Sequence, residues 1–143
     1  MTNKFEIEAK SENLPPFRKK LRSLLEAAGF AEKPTHDILL SVDEVLTNVI
    51  RHAYGGKSSV KGEPKIQITV SEHVDRVEIL VEDQGPCFDP RTIPAPKLPS
   101  TTPGGLGIYL VRTLMDEMDY EAVKPQGNRL RLVKYKKERK REP

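Results

Sequence analysis

Six of the chain's twelve prolines fall between Pro86 and Pro103, a stretch of 18 residues. Each proline fixes φ and removes a backbone donor, so neither a helix interior nor a central strand survives that density. Any fold must therefore break there, with one block of regular structure before it and a second after it. An irregular connection of that length inside a compact domain is usually functional or disordered.

Before the break, Phe5, Ile7 and Ala9 alternate with charges and predict a strand over residues 4–9. Phe17, Leu21, Leu24, Leu25 and Ala28 recur at helical spacing from Leu14 to Phe30, with Pro15 and Pro16 at the start and Gly29 at the stop. A second helix is predicted from Thr35, read as its N-cap, to Ala53, ending before Gly55-Gly56. A polar turn over residues 58–63 leads to two alternating Ile/Val segments, Lys65 to Val70 and Arg76 to Asp83. After the break, Gly104 to Met118 reads as a helix. Asp119 to Lys124 and Arg129 to Tyr135 read as two strands around a turn at residues 125–128. The order implies an α/β (α+β) two-layer sandwich, a mixed and mostly antiparallel sheet with three helices on one face.

At 143 residues the chain suits one domain, assigned to residues 1–135. Its 24 Lys and Arg against 21 acids give a net charge of +3, which invites a nucleic-acid reading. Residues 134–143 alone hold six basic and two acidic side chains, leaving 18 basic and 19 acidic for the rest. The basic excess thus belongs to the end of the chain, where residues 136–143 are expected to form a disordered tail. With no aromatic but Tyr135 there to stack bases, no direct nucleic-acid partner is expected. The single Cys87 excludes an internal disulfide and a cysteine-cluster zinc site. The N-terminus lacks an apolar leader and no run is long enough to span a membrane, so a cytoplasmic protein is expected.

Three groupings can carry chemistry. The segment HDILLSVDEVLTNVIRHAY is apolar over most of its circumference, as in a largely buried helix. Asp37, Ser41, Glu44, Asn48 and His52 nevertheless form one polar stripe along it. The stripe is either a solvent face or a pair of oxygen-bearing side chains, one turn apart, able to hold Mg²⁺ and take a proton from a nucleophile. In VEILVEDQGPCFDP, Asp83 shares strand parity with Val77, Ile79 and Val81 and so points toward the buried face. It either caps the turn at Gly85 or accepts a hydrogen bond from a ligand amino group at a pocket floor. Third, Gly104, Gly105, Leu106 and Gly107 open a helix after the proline-rich segment. This is a plain glycine-rich start, or a phosphate-binding turn at the hinge of a lid.

Together these segments resemble the asparagine box and the two glycine boxes of the ATPase superfamily that includes gyrase, histidine kinases and the mismatch-repair protein MutL. The match is strongest to the anti-sigma factor serine kinases, through D-E-x-x-T-N-x-x-x-H-A-Y at Asp43 to Tyr54, D-x-G-x-x-F-D-P at Asp83 to Pro90, and the G-G-x-G helix start. The resemblance covers about residues 4–135 and implies a Bergerat-type ATP-binding fold. It implies Glu44 as the base that receives or orients the proton of a substrate serine, and Asn48 as a ligand of Mg²⁺ bridging the ATP phosphates. It implies Arg51 against phosphate, Asp83 as acceptor of the adenine amino group, Gly85 shaping the purine pocket, and Gly104 to Gly107 turning along the phosphates. His52 and Tyr54 match the box in a binding or a structural role. Two positions depart from the superfamily pattern: Cys87 stands for a second glycine, and Gly127-Asn128 for a glycine-threonine pair whose place near the base Asn128 can still fill.

The resemblance implies a protein serine kinase that phosphorylates an anti-anti-sigma factor of the STAS type and alternately sequesters a sigma factor, with ATP and Mg²⁺ as cofactors and a homodimer as its assembly. The competing reading is a non-catalytic switch of the same fold that binds partners under ATP control. A histidine kinase fragment fits less well, because no phospho-acceptor helix is present in the sequence.

Overall fold

The structure is a computed structural model that describes residues 1–53, 64–92 and 105–137. β1 (Thr2–Glu8) passes through a 3₁₀ turn at Ser11–Asn13 into α1 (Leu14–Ala27) and α2 (Glu32–Asn48). The chain continues as β2 (Lys65–Glu72) and β3 (Arg76–Asp83), then α3 (Gly105–Leu114), β4 (Glu117–Ala122) and β5 (Asn128–Tyr135). One five-stranded sheet results, in the order β1-β2-β3-β5-β4. Every pairing is antiparallel, which corrects the mixed sheet expected from sequence. Connectivity is the cause. Short turns join β2 to β3 and β4 to β5, and such turns produce antiparallel pairs. Two helices between β1 and β2 return the chain reversed. β3 and β4 run the same way but β5 lies between them, so no parallel ladder forms.

Strand parity sorts the sheet into two faces. Ile66, Ile68, Val70, Val77, Ile79, Val81, Leu130 and Leu132 are buried against Phe17, Leu21 and Leu25 of α1, Ile38, Val42 and Val45 of α2, and Val111 of α3. The opposite face carries charge, with Arg131 3.1 Å from Glu78 and 2.9 Å from Asp119, and Arg129 3.2 Å from Glu82. Such half-exposed pairs add little stability each. Their effect is architectural, because a charged face accepts no second helical layer, and the two-layer sandwich with its helices on one side follows.

Element boundaries show where local signals mislead. β3 falls on Arg76–Asp83 as predicted, whereas α2 begins at Glu32, three residues before the predicted cap. Pro34 sits in its first turn, where the missing N–H costs nothing. Thr35 is an interior residue whose amide bonds the Ala31 carbonyl at 3.1 Å and whose buried hydroxyl has no partner among the described residues. Beyond Asn48 the helix widens into a π turn over Val49–Ala53, a feature common at functional sites. α3 stops at Leu114 rather than Met118, and the Lys134 ammonium bonds the Leu114 carbonyl there. The folded unit runs past Tyr135: the Lys136 amide bonds the Asp75 carbonyl at 2.9 Å, and its ammonium lies 3.8 Å from Glu72 and 5.6 Å from the centre of the Phe30 ring. Lys136 is therefore part of the domain and not of a tail; residues 138–143 lie outside the described residues.

Candidate functional site

The C-terminal half of α2, the start of α3 and the ends of β3, β4 and β5 line a half-open cleft. Val45, Val81, Ile108 and Leu130 give it apolar walls, and Asn48, Asp83, Tyr120 and Asn128 bring polar atoms to it. A mostly apolar recess with a few converging polar groups is the usual form of a small-molecule site.

The polar stripe of α2 is not a solvent face. Asp37 is 6% exposed, Ser41 1% and Asn48 8%. The stripe is turned toward α3, which packs closely on α2. Near the stripe's N-terminal end, Asp37 pairs with Lys33 at 3.2 Å and with Lys134 at 3.7 Å. Because Lys134 also holds the Leu114 carbonyl, it joins α2, the end of α3 and β5. Toward the other end, the Glu44 carboxylate lies against Gly107 in the first turn of α3. A Cβ at Gly107 would fall 2.9 Å from Glu44 Cδ, so only glycine lets this carboxylate occupy its place. One turn further on, Asn48 Nδ2 donates to the Glu44 carbonyl at 2.8 Å while its buried Oδ1 has no hydrogen-bond partner among the described residues.

Asp83 closes the floor. Its Oδ1 accepts the Gly85 N–H and the Asn128 amide, both at 2.9 Å, and no bond from the described residues reaches Oδ2. The turn-capping reading of Asp83 and the ligand reading are thus both available, one oxygen for each. Burial pushes the Asp83 carboxyl above the usual carboxylate range, and the two donors oppose that rise. Asn128 is fully engaged: Nδ2 also donates to the Pro86 carbonyl at 2.9 Å, and Oδ1 accepts the Phe88 N–H at 2.8 Å and the Tyr120 hydroxyl at 2.6 Å. Gly127 makes this approach possible, with φ of 145° and a hypothetical Cβ only 3.1 Å from the Asp83 carbonyl.

Of the residues singled out by sequence, Asn48, Asp83 and Asn128 line one cleft, Gly85 bonds Asp83, and Glu44 lies against Gly107, the neighbour of the lining residue Ile108. Arg51 lies in the π turn, exposed and without an ion pair among the described residues. His52 shares that turn, and Gly105 and Leu106 form the first residues of α3; the side chains of His52 and Leu106 lie outside the described residues, as do Gly104 and Tyr54 entirely. Tyr120, Ile108 and Phe88 line the cleft without having been singled out by sequence. The available signal for Tyr120 was its place on the predicted strand Asp119 to Lys124, where it shares parity with Ala122.

Residues 7–134 match the family model of the histidine kinase-like ATPase domain. Among curated proteins, the serine-protein kinase RsbW of Bacillus pumilus is 36% identical over 124 residues, covering 81% of this chain and 75% of its own. The serine-protein kinase RsbW of Bacillus mycoides is 33% identical over 151 residues, covering 94% and 88%. Among solved structures, that of the RsbU and RsbW domains of Rv1364c from Mycobacterium tuberculosis superposes with a TM-score of 0.65 at 17% identity, over 94% of this chain and 31% of that one. The histidine kinase domain of a blue-light activated kinase from Erythrobacter litoralis gives 0.52 at 19% identity, over 89% and 60%. At such identities these two structures speak to fold.

Proposed function

The chain belongs to the histidine kinase-like ATPases and, within them, to the anti-sigma factor serine kinases, and from that premise we propose that it transfers the γ-phosphoryl group of ATP to a serine of an anti-anti-sigma protein and alternately sequesters a sigma factor. The observation that carries the reading is the placement of the Glu44 carboxylate against Gly107, one helical turn from Asn48, whose buried oxygen has no partner among the described residues and which lines the same cleft as Asp83.

In this reading Asp83 Oδ2 accepts the adenine amino group while Val81, Leu130 and Ile108 pack on the base. Gly85 shapes the turn beneath it. Glu44 receives or orients the proton of the attacking serine hydroxyl, and phosphoryl transfer then depends on positioning and charge neutralisation. Asn48 Oδ1 suits Mg²⁺, a hard cation that takes oxygen donors, because it is a buried oxygen with no other bond to satisfy it. Bound there, Mg²⁺ would supply charge neutralisation at the phosphates. Gly104 to Gly107 would offer backbone N–H groups to the phosphates, and Arg51 and His52, in the turn after Asn48, would add positive or donor groups there. No described helix is long and apolar enough to cross a membrane, and a cytoplasmic setting belongs to the proposal. A homodimer does too, supported by the position of β1 at a sheet edge.

Incubation with Mg-ATP and a STAS-type partner should yield phosphoserine on the partner. Glu44→Ala should abolish transfer and keep most of the nucleotide affinity. An intact complex that binds ATP yet gives no phosphoserine would refute the kinase and leave an ATP-gated binding switch.

A further inference from the structure

β1 leaves one edge of the sheet open, and its pairing with β2 fixes which backbone groups stay free there. The Met1 carbonyl accepts the Glu72 N–H and the Ala9 N–H donates to the Pro64 carbonyl, both at 2.9 Å. Odd-numbered residues thus turn their backbone groups to β2, and by alternation Thr2, Lys4, Glu6 and Glu8 turn theirs to the open edge. The side chains of those four are exposed, whereas Asn3, Phe5 and Ile7 are half-buried on the helical side. Open edges are usually blunted by proline, a bulge or an inward-pointing charge. β1 carries none of these over its seven residues, and its register with β2 is unbroken. The opposite edge is protected: β4 presents only acids on its outer face, Glu117, Asp119 and Glu121, so pairing with its own copy would set acid against acid.

We propose that β1 pairs antiparallel with β1 of a second copy of this chain about a two-fold axis at Phe5, joining the two five-stranded sheets into one. This rests on the homodimer reading given above and supplies its interface and register. The free backbone groups belong to even-numbered residues, so only registers that set even residue against even residue form a ladder. Centring on Phe5 places Lys4 opposite Glu6 of the partner subunit and Thr2 opposite Glu8 of the partner subunit, each twice by symmetry, with no like charges facing. Centring on Lys4 sets lysine against lysine, and centring on Glu6 sets carboxylate against carboxylate, contacts that destabilise a strand pair. The Phe5 register also overlaps all of Thr2–Glu8. Lys4 is available for it, having no ion pair among the described residues, while Glu6 lies 3.3 Å from the exposed Lys65. On the helical side Phe5 stacks edge-on against Phe17, with ring centres 5.3 Å apart, and with Ile7, Pro16 and Lys20 the two rings line a groove beside the edge. A strand added there brings Phe5 of the partner subunit to that groove and adds apolar contact to the ladder.

The test is analytical ultracentrifugation of the full chain over a range of concentrations. The wild type should dimerise. Lys4→Glu sets acid opposite acid at both crossings and Glu6→Lys sets base opposite base, so each alone should raise the dissociation constant by roughly tenfold or more. Mixed in equal amounts, the two variants should form a heterodimer of wild-type strength, because every acid of one strand then faces a base of the other. The doubly substituted chain, Lys4→Glu with Glu6→Lys, is self-complementary again and should dimerise like the wild type, which a variant harmed in its fold would not do. A monomeric wild type refutes the homodimer and this interface together and leaves the β1 edge to a strand of another protein. A wild-type dimer that both single substitutions leave intact, or single variants that fail to recombine, refutes this interface alone.

Discussion

Gly107→Ala separates catalysis from folding at one atom. The added Cβ would lie 2.9 Å from Glu44 Cδ and 3.5 Å from Cγ. Unbonded carbons rest at about 3.5–4.0 Å, so the Glu44 carboxylate must move by the better part of an ångström or rotate away. A displacement of about 1 Å at a reacting group costs on the order of 10²-fold in rate, and loss of a general base about 10²–10⁴-fold. Transfer to the partner serine should therefore fall by roughly 10²–10³-fold. The fold should not suffer, because what must move is the end of a flexible side chain. Exchanging glycine for alanine in a helix gains up to about 1 kcal/mol, less in a first turn, which predicts a melting temperature unchanged or raised by roughly 2–4 °C.

Two measurements on one preparation decide the matter: phosphoserine formed on the partner at saturating Mg-ATP, and thermal unfolding of the free protein. In a Glu44→Ala background, Gly107→Ala should have no further effect on transfer, since no carboxylate remains to be displaced. Wild-type transfer by Gly107→Ala would refute the catalytic placement of Glu44. A further loss of ATP affinity in the Glu44→Ala background would show that the glycine serves phosphate approach instead.

Three other outcomes follow from the same geometry. Asn48→Ala removes a buried acceptor that costs about 1–3 kcal/mol unsatisfied and one hydrogen bond worth about 1 kcal/mol, so stability without ligand should change little, while the Mg²⁺-dependent rise in melting temperature with ATP should vanish in a thermal-shift assay. Lys134→Met leaves the buried Asp37 with only the largely exposed Lys33; the loss should be about 2–3 kcal/mol by urea unfolding, below the 3–5 kcal/mol typical of a fully unpaired buried charge. Truncation after Lys137 should leave the urea midpoint unchanged, whereas truncation after Tyr135 removes the Lys136 contacts and should cost about 1 kcal/mol.

What the sequence made legible follows the reach of the interactions. β3 was readable to the residue because four inward side chains alternate without interruption from Val77 to Asp83. Thr35 was misread because a threonine before an apolar run is a local cap signal, and Pro34 in the first turn marks the true start just as locally. Periodicity placed Asp37, Ser41, Glu44 and Asn48 on one face but could not say what covers it; α3, more than 50 residues away, does. The Asn128 hub joins residues 8 to 45 positions apart and leaves no local pattern. Lys136 was assigned to a charged tail by composition, while the carbonyl and ring that hold it belong to Asp75 and Phe30.

The α2 stripe also explains why a site with an unsatisfied group survives in a folded chain. Near one end Asp37 is satisfied by Lys33 and, through Lys134, ties the helix to the end of α3 and to β5, adding stability about three turns from the cleft. At the other end Asn48 keeps a buried oxygen without a partner among the described residues, at a cost of about 1–3 kcal/mol. On the Mg²⁺ reading proposed above, a cation that completes this acceptor returns the deficit as binding free energy. The anchored end of the helix thus holds the frame in which its other end tolerates an unsatisfied group.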